Sequence, residues 1–192
     1  MRKQIGPYFC KLSTDLAPIC PKAPRAERSA LQGKAYAATN DDVRAFERYR
    51  LAAEQGHPLA QIQLGDCYKK GQGVPKDEAQ AAAWYRKAAE QNHPLAQVEL
   101  GDCYKKGQGV PKNTARAVAW YRRAAEQNDA EAQFKLGWCY EKGQGVPKDE
   151  ALAAAWYRKA ADKGSLAKVA LERLEQKLRS AAAAEKIMRK TR

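Results

Sequence analysis

The chain has 192 residues and a formal net charge of +13 at pH 7. No stretch approaches the roughly 18 consecutive apolar residues of a membrane-spanning helix, which excludes such a helix within the sequence. Residues 1–40 hold seven Lys or Arg against two Asp or Glu, residues 165–192 hold eight against three, and residues 41–164 hold twenty against seventeen. The excess positive charge therefore lies mainly at the two ends of the chain and not in the central residues 41–164. A nucleic-acid surface usually has a basic stripe on a folded face, so specific nucleic-acid binding is not expected. The basic ends are expected to contact anionic surfaces only weakly.

The N-terminal segment, residues 1–25, is rich in proline and basic residues and is predicted to be disordered. It lacks the apolar stretch of about 7 to 15 residues that a secretory signal contains. A cytoplasmic location is therefore expected, and the alternative is an exported protein whose true start and signal lie upstream of Met1. Cys10 and Cys20 lie in this segment, and their surroundings do not predict whether they pair.

Residues 26–56 are predicted to form a degenerate helix pair. The first helix is expected to end before a cap at Asn40, and residues 41–56 align one period before the second helix of the next unit. Arg48 stands where the later units have tryptophan, which predicts the loss of part of a buried contact.

The centre of the chain is a repeat array. Residues 57–92 and 93–128 differ at only seven of thirty-six positions, and a third copy occupies residues 129–164. Repetition at this period is typical of arrays in which each unit buries its apolar face by stacking on its neighbours. Function is therefore expected on an extended surface and not in a catalytic pocket.

Each copy is predicted to be a pair of helices, because it contains two apolar stripes at helical spacing. In the first copy these stripes are Ala60, Leu64, Cys67 and Tyr68, then Ala81, Trp84, Tyr85 and Ala88. Gly71 is expected to end the first helix and Asp77 to cap the second. Gly65 lies inside the first helix, where glycine costs about 1 kcal/mol relative to alanine. We therefore expect the partner helix to approach closely there.

These fixed positions resemble the signature of the Sel-one-like repeat (SLR) family, relatives of the tetratricopeptide repeats. The first copy matches it at Ala60, Leu64, Gly65, Tyr68, Gly71, Gly73, Val74, Asp77, Ala81, Trp84, Ala88 and Ala89. The third copy matches throughout, and the second departs only at Asn113. The resemblance implies an all-α, right-handed superhelical solenoid of antiparallel helix pairs, acting as a scaffold or adaptor for a protein partner, often in bacteria.

The C-terminal part is predicted to close the array. Residues 165–180 form a capping helix whose apolar stripe is Ala167, Leu171, Leu174 and Leu178. Residues 181–192 are expected to form a basic tail that has high helix propensity but little to pack against.

The repeated cysteines and histidines are predicted to be structural. Packed helices lie about 8 to 10 Å apart, too far for a disulfide, so reduced core thiols are expected at Cys67, Cys103 and Cys139. His57 and His93 stand one repeat apart, each before a first helix, which is too far for shared metal coordination. We therefore expect His57 and His93 to start the helices that follow them, and we expect the protein to bind neither a metal nor a cofactor.

An enzyme is not expected. Ser165 and Lys168 have the Ser-x-x-Lys spacing of penicillin-binding enzymes, but the accompanying Ser-Asp-Asn and Lys-Thr-Gly motifs are absent from the sequence. A beta-lactamase-like enzyme is therefore a remote third option, after a scaffold and an exported envelope or host-interaction protein.

The resemblance implies that the first helices line the concave face of the superhelix. The surface opposite their core stripe is then the predicted binding row for an extended or helical peptide. It comprises Leu59, Ile62, Asp66, Lys69 and Lys70 in the first copy, Leu95, Val98, Asp102, Lys105 and Lys106 in the second, and Glu131, Phe134, Trp138, Glu141 and Lys142 in the third. Trp138 stands where the other copies have aspartate, which indicates an anchor for the partner.

Overall fold

The computed structural model describes residues 24–161 and 165–190. Over these ranges the chain forms nine α-helices and no β-strand: α1 Arg25–Ala38, α2 Asp42–Glu54, α3 Pro58–Lys70, α4 Glu78–Glu90, α5 Pro94–Lys106, α6 Thr114–Glu126, α7 Ala130–Lys142, α8 Glu150–Ala161 and α9 Ser165–Lys190. Each helix packs on the next in the chain, as expected for antiparallel pairs joined by short connections. The predicted all-α solenoid of helix pairs is confirmed. Residues 1–23 of the predicted disordered segment, with Cys10 and Cys20, lie outside the described residues, whereas Arg25 already belongs to α1.

Local sequence rules determine where the repeat helices begin and end. Gly71 ends α3 in the left-handed conformation, with φ of 75°. The Asp77 carboxylate caps α4 by accepting hydrogen bonds from the backbone N–H groups of Ala79 and Gln80, each at 2.9 Å. Both predicted boundaries are therefore confirmed.

The residues before the first helices of the first and third copies cap those helices, which agrees with the prediction that they start helices. His57 Nδ1 accepts a hydrogen bond from the backbone N–H of Ala60 at 3.3 Å, and Asp129 accepts one from Ala132 at 2.8 Å. His93 stands at the same position but makes no side-chain cap, and its Nδ1 atom is buried without a partner. Burial lowers the pKa of His93, so its imidazole is neutral at pH 7.

A glycine–tyrosine contact joins the two helices of each pair. Tyr85 is fully buried, and a Cβ atom added to Gly65 would lie 2.6 Å from its ring. Gly101 and Tyr121 repeat the contact in the second copy. The close approach predicted at Gly65 is therefore confirmed, and tyrosine is the side chain that requires it.

The tryptophan of the second helices is less buried than predicted. Trp84 is half-buried at the edge of the core, and the Lys87 ammonium lies 3.7 Å from its ring centroid. Tyr85 fills the position that faces Gly65 of the first helix, and Trp84 packs beside it at the edge of the core. The placement of Trp84 within the core stripe was wrong.

The N-terminal pair α1/α2 reproduces the glycine–tyrosine contact, with a Cβ at Gly33 falling 2.5 Å from the Tyr49 ring. Its capping residue differs from the prediction. Asn40 has a left-handed backbone, with φ of 57°, and Asp41 caps α2 by accepting a hydrogen bond from the Arg44 backbone. Arg48 is half-buried at the position where later pairs have tryptophan.

The Gly-Gln-Gly loop after each first helix connects neighbouring pairs. A Cβ added to Gly145 would overlap the backbone carbonyl of Thr114, in the first turn of α6. Gly109 meets Glu78 of α4 in the same way. Each loop therefore packs on the preceding pair, and this contact brings the ends of α5 and α7 and the start of α6 close together.

Helix α9 covers the end of the array and extends beyond its predicted end at residue 180. Ala167 and Leu174 are buried and Leu171 is half-buried, as the predicted stripe requires, whereas Leu178 is exposed. The alanine-rich stretch continues the helix to Lys190, because its helix propensity needs no packing partner over so short a distance. None of the helices in the described ranges combines the length and hydropathy needed to cross a membrane.

Candidate functional site

The structure divides the predicted binding row by exposure. Leu59 and Leu95 are 41% and 38% exposed at equivalent positions on α3 and α5. The exposed charged members are Lys70, Lys106, Glu131 and Lys142, and the half-buried members are Asp66, Lys69, Asp102, Lys105, Phe134 and Trp138. Whether these residues bind a partner stays a prediction.

Three members of the row are buried, which corrects the prediction of an apolar surface track. Ile62 and Val98 are each 1% exposed and belong to the core cluster that contains Tyr85 and Tyr121. A helix inside a solenoid packs on its own partner and on the next repeat, so it buries a second stripe that an isolated helix pair would expose. Glu141 is 8% exposed and has a structural partner.

The acidic residues of the row hold the core tyrosines. The Tyr85 hydroxyl donates to Asp66 at 2.6 Å, and the Tyr121 hydroxyl donates to Asp102 at 2.5 Å. Burial, together with the carboxylate, raises the pKa of Tyr85 well above its ordinary value, so the hydroxyl stays a donor. These aspartates therefore have a structural role in the fold.

Trp138 replaces this aspartate in the third copy, and a second substitution compensates for it. Glu141, at the position of Lys69 and Lys105, accepts the Tyr157 hydroxyl at 2.8 Å. Sequence reasoning missed this role, although the simultaneous loss of Asp and Lys from the repeat was a signal for it.

Ion pairs link successive first helices. Lys69 of α3 pairs with Glu99 of α5 at 2.7 Å, and Lys135 of α7 pairs with Asp102 of α5 at 2.8 Å. Burial alone would raise the pKa of Asp102, but hydrogen bonds from Lys135 and Tyr121 outweigh it and hold that pKa below its ordinary value. Between α3 and α5 the earlier helix supplies the lysine, whereas between α5 and α7 the later helix supplies it. The charges exchange places because Lys135 stands at the position equivalent to Glu99.

This reversal leaves Lys105 without an ion pair among the residues that the structure describes, and its ammonium lies 3.7 Å from the ring centroid of Trp138. Burial lowers the pKa of Lys105, and this effect outweighs the attraction of the nearby Asp102 carboxylate, while Lys135 and Lys106 lower the pKa further. A cation held by an aromatic face is stabilised by about 0.5 to 2 kcal/mol, less than a buried ion pair can supply.

Lys105 and Trp138 border an open depression of about 650 Å³. Its lining joins the end of α5, the start of α6 and the Gly-Gln-Gly loop after α7, through Lys105, Lys106, Lys112, Thr114, Trp138, Gly143, Gln144 and Gly145. We call this the basic depression. A smaller cavity of about 120 Å³ lies near the N-terminal pair and is lined in part by Leu31, Tyr49 and Leu59.

The repeated cysteines are buried free thiols, as predicted. Burial raises the pKa of Cys67 and of Cys103 to about 11, so both are protonated at neutral pH. No cluster of three or more His, Cys, Asp or Glu side chains suited to a metal occurs among the residues that the structure describes.

Comparison with solved structures gives several similar folds. One is c5321, a protective antigen present in uropathogenic Escherichia coli strains and displaying an SLR fold, which is 42% identical with a TM-score of 0.71 over 73% of this chain and 31% of its own. A Sel1 repeat protein from Oxalobacter formigenes is 40% identical with a TM-score of 0.70, over 74% of this chain and 59% of its own. Helicobacter pylori cysteine rich protein B is 26% identical with a TM-score of 0.55, over 69% of this chain and 96% of its own.

The chain therefore spans less than two thirds of the length of the first two of these proteins. Among curated proteins, none matches it significantly. The profile of the Sel1 repeat matches at residues 30–57, 58–93, 94–129 and 130–165, one residue later than the predicted copies and with the N-terminal pair as a further repeat. The resemblance seen in the sequence is confirmed, and the chain belongs to the Sel1 repeat family.

Proposed function

We propose that this protein is a non-enzymatic adaptor that binds a peptide or helix of a partner protein along the exposed surface of α3, α5 and α7. Sel1 repeat proteins are generally protein–protein interaction scaffolds and are typically non-enzymatic. Leu59 and Leu95 are exposed one repeat apart on this surface, and the same row contains exposed charged residues of both signs, among them Lys70, Lys106 and Glu131. A partner with apolar side chains at matching intervals would be recognised there.

The observation that carries the proposal is Trp138. The fold accepts aspartate at this position, as Asp66 and Asp102 show, and tryptophan requires Glu141 to take over the hydrogen bond of Tyr157. The replacement keeps an acceptor for the Tyr157 hydroxyl and puts a half-buried indole on the first-helix surface. Aromatic side chains in such positions are frequent binding hot spots, with truncation costing about 2 kcal/mol or more.

The test compares the proteins captured by the tagged full chain and by Trp138→Ala, quantified by mass spectrometry. We expect the specific partner to be depleted about tenfold or more. Trp120→Ala is the matched control, because Trp120 is a half-buried tryptophan on the second helix α6. The proposed surface would be refuted if Trp138→Ala and the double variant Lys70→Glu/Lys106→Glu both retain every partner.

We propose a cytoplasmic location, supported by the presence of one cysteine in each of the three repeats, which leaves no pair within a repeat for a disulfide of the kind that stabilises secreted domains. A second candidate is an exported protein that acts at an envelope or host surface. It is favoured by the 42% identity to c5321, a protective antigen. Sequencing the N-terminus of the mature protein from cytoplasmic, periplasmic and secreted fractions distinguishes the two, since a processed form outside the cytoplasm would support only the second.

A further inference from the structure

The second copy of the repeat differs from its neighbours by losing carboxylates around the basic depression. Before the second helix, the first and third copies read Lys-Asp-Glu, whereas the second reads Lys-Asn-Thr at residues 112–114. In the flanking copies the glutamate neutralises the loop lysine, through the pairs Lys76–Glu78 and Lys148–Glu150, each at 2.9 Å. Thr114 cannot form this pair, so Lys112 keeps an uncompensated charge.

The first-helix lysine has lost its carboxylate at the same junction. Lys69 pairs with Glu99 of the next copy, but the residue that would pair with Lys105 is Lys135. Trp138 also replaces an aspartate at the edge of the basic depression. Independent substitutions in two copies therefore remove negative charge from one place.

The result is a concentration of unpaired positive charge. Lys105, Lys106 and Lys112 line the basic depression, and no lining residue carries a carboxylate. These lysines form no ion pair with any residue in the described ranges. Like charges that share a concave surface repel one another, and an anion bound between them would relieve the repulsion.

The extent of the positive region favours a short acidic segment over a polyanion. At the positions equivalent to Thr114, one repeat before and one repeat after, stand Glu78 and Glu150. The positive region is therefore about one repeat long. A nucleic acid would require a basic stripe that continues along the array.

We propose that the basic depression binds an acidic segment of the partner protein, whose Asp or Glu carboxylates lie between Lys105, Lys106 and Lys112 while an adjacent apolar side chain packs on Trp138. This inference rests on the proposed function and deepens it by naming the chemistry of the partner. The three lysines supply charge attraction, and the indole supplies an apolar surface beside it, so acidic and apolar residues in alternation are the preferred ligand.

The test measures fluorescence anisotropy of a labelled peptide in which Glu-Leu-Glu-Glu-Leu is repeated, with a glutamine-for-glutamate peptide as comparison. The full chain should bind the glutamate peptide about tenfold more tightly than the glutamine peptide. Lys106→Glu/Lys112→Glu should lose about tenfold or more in affinity. The matched control is Lys76→Glu/Lys87→Glu, which makes the same change of net charge at exposed lysines of the first copy outside the binding row and the basic depression, and should lose less than about threefold.

Equal losses in the two double variants, equal affinity for the two peptides, or no binding at about millimolar peptide would overturn the inference. Displacement of the peptide by inorganic phosphate, but not by acetate at the same ionic strength, would also overturn the assignment to carboxylates. All four lysines are exposed, so the variants are expected to fold. Thermal melting of each variant checks this. If Trp138→Ala loses its partner while the lysine variants keep it, only this inference fails. If the lysines govern peptide binding while Trp138→Ala and Lys70→Glu/Lys106→Glu both keep every partner, only the proposed function fails.

Discussion

Replacing Glu141 with lysine, the residue at the equivalent position of the first two copies, should destabilise the third copy. The carboxylate accepts the Tyr157 hydroxyl at 2.8 Å, and both its oxygens accept from the Arg173 guanidinium at 2.8 Å. A lysine there leaves the buried tyrosine without an acceptor and places two cations side by side.

The magnitude follows from these two contacts. A buried hydroxyl left without a partner costs about 1 to 3 kcal/mol, and the pair with the well-exposed Arg173 contributes at most about 1 kcal/mol. The expected loss in the free energy of unfolding is therefore about 1 to 4 kcal/mol. Adding Trp138→Asp should restore an acceptor for Tyr157, as Asp102 is for Tyr121. The double variant should be more stable than the sum of the single effects by about 1 to 3 kcal/mol.

Urea unfolding followed by circular dichroism measures both quantities. Glu131→Lys is the matched control, because Glu131 is an exposed glutamate on the same helix and its replacement should cost less than about 1 kcal/mol. The reasoning is refuted if Glu141→Lys is as stable as the wild type, or if the effects of the two substitutions are additive.

Deleting residues 93–128 should leave a shorter folded array, because Asp66 and Lys69 then take the places of Asp102 and Lys105 against α7; loss of a cooperative helical melt would contradict this. Trp120→Ala should cost about 1 to 2 kcal/mol in urea unfolding, less than the roughly 3 to 5 kcal/mol of a buried indole, because Trp120 is half-buried; a larger cost would show that it is a core residue. The Asp102 contribution to stability should be present above about pH 4 and lost at lower pH, since its pKa is held below the unfolded value; a urea midpoint with the same acid dependence in Asp102→Asn would contradict it. Reaction with a thiol reagent should be slow in the folded state and fast in urea for the buried thiols of Cys67, Cys103 and Cys139, and fast reaction when folded would contradict their burial.

The helices and their boundaries could be predicted from the sequence because the signals are local. Asp77 and Gly71 act within one turn of their own helix, and Gly65 contacts the second helix of its own copy. Asn40 misled the prediction because Asn and Asp both favour helix starts, and in this chain the asparagine adopts the left-handed turn before the capping Asp41.

The surface was harder to predict because it depends on contacts between copies. Ile62 and Val98 are buried by the neighbouring repeat, which the amphipathic pattern of one helix does not reveal. The contact of Trp138 with Lys105 likewise arises between adjacent copies, whereas the acceptor role of Glu141 toward Tyr157 lies within the third copy and depends on two substitutions together. Comparing the copies position by position identifies such sites only after the structure shows which positions meet.

Site-specific photo-cross-linking tests most directly whether the partner binds the first-helix surface. Benzoylphenylalanine placed at Lys106 lies in the basic depression, and the same group placed at the exposed Ala119 of α6 lies on the second helices. The account predicts a specific cross-linked partner from position 106, suppressed by excess acidic peptide, and none from position 119. A partner that cross-links from position 119 and not from position 106 would contradict it.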